Sequence, residues 1–236
     1  MQKPGLAALT TATALLLALA GALPGCGGGG GPAPTRAVYI YETDFDTAYG
    51  FKALVEDAGG SCDLLPMTEV QTADFSPYNV ILIGHDTGDV TGWGGSGDAA
   101  AVEAANKPVL GIGRGGSYLF EDLGLNIGWM SCWTTDTDAI EVVDAALPVY
   151  NTPNDMSVVT DLTVSVHYAL VSNSVAVYVP TPGTVEVLCR QEGTTDHYLV
   201  AREDRFVLWG FNGSPATLTP AGADLFENVL EYIRSF

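Results

Sequence analysis

The segment with the most chemical content is Val109-Leu110-Gly111-Ile112-Gly113-Arg114-Gly115-Gly116, an apolar strand that runs into a glycine turn and then a helix, Ser117 to Leu123. Glycine is needed where a strand turns sharply into a helix, because backbone crowding and positive φ exclude a Cβ. The pattern is not a dinucleotide-binding fingerprint, since Ser117 and Tyr118 follow the final glycine pair and the turn lies on the fourth strand. Arg114 sits at the helix start, where its guanidinium and backbone N–H groups could jointly hold a carboxylate or phosphate. The competing reading is that Arg114 neutralises an acid such as Glu42 or Asp86. His85 next to Asp86 could form an acid–base pair, and a satisfied loop histidine is the alternative. His167 and His197 fall in strand-like stretches and read as packing or surface residues.

Two further groups of residues could do chemistry. The loop Asp86-Thr87-Gly88-Asp89 through Asp98, and Asp136-Thr137-Asp138, are acidic enough to attract calcium. Neither has the D-x-[DN]-x-[DN]-G spacing of a calcium loop, so no metal site and no cofactor is expected. Trp93, Trp129, Trp133 and Trp209 could offer stacking platforms for sugars, although packing is the commoner fate of tryptophan.

Gly111 to Gly116 resembles the nucleophile elbow of the class I glutamine amidotransferase-like superfamily: glycine, apolar, cysteine, any residue, glycine, then glycine or histidine. On that match the cysteine position is Gly113. Val207-Leu208-Trp209-Gly210-Phe211-Asn212-Gly213-Ser214-Pro215 resembles the strand and loop that carry the family's catalytic histidine. The histidine position falls on Asn212 and the acid two residues later on Ser214. The resemblance spans Ala37 to Phe236, and Pro148 to Pro153 with the closing helix resemble the trehalose-utilisation-like branch. It implies a three-layer, flavodoxin-like α/β fold. A thiolate must be deprotonated by an adjacent base before it attacks an amide carbon. With glycine and asparagine at the two positions, amidotransfer by the usual route is expected to be absent.

The elements that must position these residues follow from periodicity. Ala37 to Tyr41, Cys62 to Leu65, Val80 to Ile83 and Pro108 to Ile112 read as short apolar strands. Phe51, Leu54, Val55 and Ala58 recur at helical spacing before a Gly59-Gly60 stop, and a small-residue helix spans about Asp98 to Asn106. Strands that are apolar on both faces and alternate with helices indicate a doubly wound, mostly parallel sheet. From Ala139 onward, Ile140 to Val143, Val158 to Val166, Val175 to Val179, Val185 to Arg190, His197 to Arg202 and Phe206 to Trp209 imply antiparallel β additions in the C-terminal half. Pro220 opens a last helix with Thr219 as its cap and Leu225, Val229, Tyr232 and Ile233 as its apolar stripe. Ligands of such sheets bind beyond the carboxyl ends of the strands. The pocket candidates are therefore Asp44, His85, Asp86, Gly113, Arg114, Gly115, Tyr118 and Asn212.

The chain's beginning says where this domain would work. A basic start at Lys3, an apolar run from Leu6 to Leu23 and Leu23-Pro24-Gly25-Cys26 form the tripartite plan of a secretory signal. Leu23 to Cys26 resembles the lipobox of bacterial lipoproteins, whose cysteine becomes the lipid-modified first residue, so Cys26 is the expected lipidation site. Simple secretion is the alternative. Gly27 to Gly31 with Pro32-Ala33-Pro34 would be a tether within residues 27–36, followed by a single domain over 37–236. The expected location is extracytoplasmic and membrane-anchored.

Net charge bounds the partners. The 236-residue chain carries −19, and cleavage before Cys26 would leave eight basic residues against 28 acidic ones. That argues against nucleic acid or an anionic bilayer surface as a binding partner. Cys62, Cys132 and Cys189 show no CxxC spacing and leave two readings open: one disulfide with a spare thiol, or three buried apolar thiols. The leading functional expectation is a catalytically degenerate amidotransferase-like lipoprotein that binds a small ligand or a protein partner. The alternatives are an envelope hydrolase using His85 and Asp86, and a structural lipoprotein with a vestigial pocket.

Overall fold

A computed structural model describes residues 33–180 and 183–236; the signal, Cys26 and most of the tether lie outside them. Pro34–Phe236 packs as one compact unit. Its first half alternates strand and helix: β1 (Arg36–Tyr41), α1 (Phe45–Asp57), β2 (Ser61–Pro66), β3 (Val80–Ile83), α2 (Asp98–Ala104), β4 (Val109–Ile112) and α3 (Gly113–Asp122). The second half is mostly strand: β5 (Cys132–Thr137), β6 (Ala139–Val142), β7 (Thr163–Ser165), β8 (Val171–Tyr178), β9 (Glu186–Gln191), β10 (His197–Glu203) and β11 (Phe206–Trp209), closed by α4 (Pro220–Ile233).

One sheet of eleven strands runs β2-β1-β3-β4-β11-β10-β9-β6-β7, with β8 joining β10 and β5 joining β8. The first five strands of this order pair in parallel, and the remainder pair antiparallel. β3 and β4 are buried along their whole length, as their uninterrupted apolar runs require when both faces are covered. On one face α1 and α4 bury Phe51, Val55, Leu225, Phe226 and Val229 against Tyr39, Leu110 and Trp209. On the other, α2 and α3 bury Val102, Leu119 and Phe120 against Ile81, Val109 and Leu208. The result is the three-layer, doubly wound α/β architecture with antiparallel additions in the C-terminal half.

Three local expectations need correction. α3 begins at Gly113 and not at Ser117; three glycines within its first turn cost helix propensity, but close packing on β4 outweighs that cost. Val158 to Val166 contributes only the three residues of β7, because Asp161 within it has positive φ and breaks the extended run. Cys132 to Thr137, unassigned in sequence, forms β5 against β8. The C-terminal helix starts as expected, with the Thr219 hydroxyl accepting from the Gly222 N–H at 2.9 Å.

Two buried polar side chains lock the loops around the sheet. Asn228, fully buried on α4, accepts from the Asn154 N–H at 2.8 Å and donates to the carbonyls of Val149 and Asn154 at 3.1 and 2.8 Å. It thereby fastens residues 149–154 to the helix. His167, 1% exposed, has Nδ1 2.8 Å from the Thr217 hydroxyl. That hydroxyl already donates to the Ser214 carbonyl at 2.8 Å, so it accepts from an Nδ1–H. His167 Nε2 then carries the lone pair and is buried without a partner.

Burial pushes the His167 pKa down from 6.5 to about 4, against a smaller opposing pull from Asp138. The unfolded chain therefore binds a proton that the folded chain refuses, and stability rises with pH across this window. Unfolding followed by denaturant at a series of pH values should show a His167 contribution that is fully present above pH 6.5 and lost, to about 2–3 kcal/mol, as the pH falls to about 4. His167→Gln should flatten that limb of the profile. Asn228→Ala leaves three backbone groups unsatisfied and should cost about 2–4 kcal/mol in the same measurement.

Candidate functional site

The turn after β4 has the sharp geometry that its glycines require. Gly113 holds φ +53° at the first position of α3, directly beyond the carboxyl end of β4. A Cβ at Gly115 would overlap the Gly84 carbonyl, and one at Gly116 would overlap the Gly111 backbone. The helix can approach the sheet this closely only without side chains there. Asn212, carried in from the end of β11, lies against the apex: a Cβ at Gly113 would overlap its Oδ1. The same oxygen accepts from the Arg114 N–H at 3.2 Å. Asn212 thus caps α3 from a distant strand, since Ile112 at the N-cap position has no side chain able to do so.

A second first-turn donor is also taken, because the Gly115 N–H donates to the His85 carbonyl at 3.1 Å. The expectation that Arg114 and backbone N–H groups would jointly hold an anion is corrected accordingly: the N–H groups of Arg114 and Gly115 are already satisfied. The alternative for Arg114 is corrected too. Its guanidinium pairs with neither Glu42 nor Asp86 but donates from Nη2 to Asn173 Oδ1 at 2.7 Å. Its Cζ lies 5.8 Å from the centre of the Trp129 ring. Trp129 in turn packs on the buried Tyr118 at 4.9 Å, and burial raises the Tyr118 hydroxyl pKa. Asn173 is held in a left-handed conformation, φ +60°, by an N–H donated to Asp136 Oδ1 at 2.9 Å.

His85 and Asp86 do not form the acid–base pair that their adjacency in sequence could offer. Asp86 turns away and its Oδ2 accepts from the backbone N–H groups of Glu42, Thr43 and Asp44 at 3.1, 2.6 and 2.6 Å. A carboxylate holding three N–H groups is a fastener for the loop after β1, so the orienting role assigned to Asp86 falls away. The acid facing His85 is Asp44, with Oδ2 3.5 Å from His85 Nε2. Asp44 also caps α1 by accepting from the Thr47 N–H at 3.0 Å. Partial burial opposes its ionisation, but the Thr47 backbone and hydroxyl and the nearby His85 outweigh that and hold its carboxyl below the usual aspartate value. Beneath them, Tyr39 Oη, His85 Nδ1 and Asp86 Oδ1 are buried without partners.

The structure therefore brings all eight candidates to one end of the sheet, with unequal roles. Gly113, Gly115 and Asn212 shape the elbow, Asp86 and Asp44 fasten the neighbouring loop, His85 faces Asp44, and Arg114 and Tyr118 pack with Asn173 and Trp129. Sequence reasoning missed Asn173, which sits inside a strand, and Thr87. The buried Thr87 hydroxyl donates to the Gly84 carbonyl and accepts from Trp93 Nε1, each at 2.8 Å. A cavity of about 360 Å³ opens beside these loops, lined by Glu42, Thr68, Gly88, Asp89, Gly94 and Asp98. Among the described residues no thiol reaches the elbow. Cys62, Cys132 and Cys189 are free and lie on β2, β5 and β9, which favours the reading of three separate thiols over a disulfide. Burial raises each pKa to about 12.

No protein-family model and no curated protein matches the chain. Solved structures do. A protein of Thermoplasma acidophilum assigned as a GMP synthase subunit superposes with TM-score 0.54 at 10% identity, over 85% of this chain and 95% of that one. PurLQS from Thermotoga maritima gives 0.53 at 14%, over 85% and 100%. The glutaminase domain of Trypanosoma brucei CTPS, solved with acivicin, gives 0.50 at 12%, over 84% and 94%. The domain thus shares the flavodoxin-like α/β fold of class I glutamine amidotransferase domains.

Proposed function

We propose that the chain is a cell-envelope lipoprotein whose amidotransferase-like domain has given up amide hydrolysis and uses the strand-end surface to bind a small ligand or a protein partner. The observation that carries this reading is the contact between Gly113 and Asn212. The apex of the elbow holds no nucleophile, the position that would supply its base holds an amide, and that amide fills the space where a nucleophile's Cβ would stand. It also engages the Arg114 N–H, which a substrate oxyanion formed at this turn would otherwise need. The hydrolase alternative loses support because Asp86 is committed to backbone N–H groups. Anchoring through Cys26 fits the glycine-rich tether that follows it.

The full chain should release no ammonia from glutamine above the uncatalysed rate; turnover lost on Asn212→Ala or His85→Ala would overturn the reading. Gly113→Cys alone should remain inactive and lose about 1–3 kcal/mol in chemical denaturation, from the positive φ and the clash with Asn212. Adding Asn212→Gly should recover at least about 1 kcal/mol of that loss, a coupling that a double-mutant cycle measures. A thermal-shift screen of small carboxylates and phosphates should find a stabilising compound whose effect is lost in Arg114→Ala. Cys26→Ala should move the chain from the membrane fraction to the soluble one.

A further inference from the structure

Three of the four tryptophans are accounted for by packing: Trp93 and Trp209 are 1% exposed, and Trp129 lies between Tyr118 and Arg114. Trp133 is 66% exposed and belongs to a different surface, the ribbon formed by β5, β8 and the start of β10. Trp133 pairs with Ala176 and Tyr178 with His197. Ala176 and Tyr178 are two apart on one strand and share a face, so Trp133, Tyr178 and His197 project from the same side of three adjacent strands. The His197 ring lies 6.2 Å from Trp133 and 5.3 Å from Tyr178. Tyr178 is itself 49% exposed. The other exposed apolar residues on loops, such as Val90 and Val159, need no explanation as single residues on a surface.

Polar groups border this aromatic cluster. His197 Nδ1 contacts Asp196 Oδ1 at 2.8 Å, which fixes the ring and leaves Nε2 and the second Asp196 oxygen for another molecule. Tyr178 also lines a groove of about 190 Å³ whose lining includes Asn126, Ser131 and Thr184. The rings are not coplanar, His197 standing at 81° to Trp133 and 47° to Tyr178, so the stacking surface is the exposed Trp133 ring itself. Such a face, edged by hydrogen-bonding groups, matches a sugar ring, whose C–H face stacks on π-electrons while its rim of hydroxyls seeks donors and acceptors. The net charge of −19 and the Asp196 carboxylate repel polyanions, so a neutral saccharide fits this surface better than an anionic one.

We infer that Trp133, Tyr178 and the Asp196–His197 pair form a binding site for a neutral saccharide, separate from the strand-end surface around Arg114. Cellohexaose, maltohexaose and chitohexaose titrated into the full chain, followed by calorimetry and tryptophan fluorescence, test it. At least one should bind at millimolar concentration or better. Trp133→Ala should weaken that binding about tenfold or more with an unchanged melting temperature, as an exposed residue allows. Trp133→Phe should retain part of the affinity, Asp196→Asn should reduce it several-fold, and Arg114→Ala should leave it unaltered. Absence of binding by all three sugars, or binding indifferent to Trp133→Ala, overturns the inference. So does a Trp133→Ala effect confined to self-association of the chain, which would make the ribbon a protein interface.

Discussion

The structure around the strand ends depends on how closely α3 is pressed against the sheet. At Gly111, Gly115 and Gly116 backbone meets backbone with no room for a Cβ, and this places the helix start within reach of both the loop after β3 and the loop after β11. Once there, its free N–H groups must find acceptors, since a buried helix end without partners is costly. The Asn212 side chain and the His85 carbonyl supply them. The same requirement explains why the elbow keeps its shape although its apex carries no reactive atom. Its glycines hold two loops in register as well as turning the chain.

The neighbouring loop is ordered by a second set of contacts of the same kind. Asp86 gathers three N–H groups after β1, Glu42 accepts from the Gly88 N–H at 3.1 Å, and Asp44 both caps α1 and faces His85. In a chain so rich in acids, these carboxylates serve chiefly as backbone acceptors. Arg114 stands apart in this company, with a neutral amide as its partner. A guanidinium that no carboxylate has claimed is the feature of this surface best suited to an incoming anion.

How much was legible in sequence varied with the kind of interaction. Val80–Ile83 and Val109–Ile112 were readable because burial on both faces leaves an unbroken apolar run. The pairing of Gly113 with Asn212 was readable because both belong to recognisable segments. β5 was not: Cys132–Thr137 is polar and largely open to solvent, so its strand character comes from pairing with β8. The true start of α3 was hidden because propensity argues against three glycines and tertiary packing overrides it. The commitment of Asp86 depends on the curvature of a loop 42 to 44 residues away in sequence, which no local pattern encodes.

Among the described residues, an eleven-stranded sheet that does not close on itself leaves rims at β2, β7 and β5, and unpaired rims invite strand addition from neighbouring molecules. Each rim is blunted in its own way. β7 is only three residues long, while β2 and β5 carry Asp63 and Asp136. Edge-to-edge fibrillar growth would bring those carboxylates together between molecules already strongly anionic, so the architecture resists it even where many copies are crowded side by side.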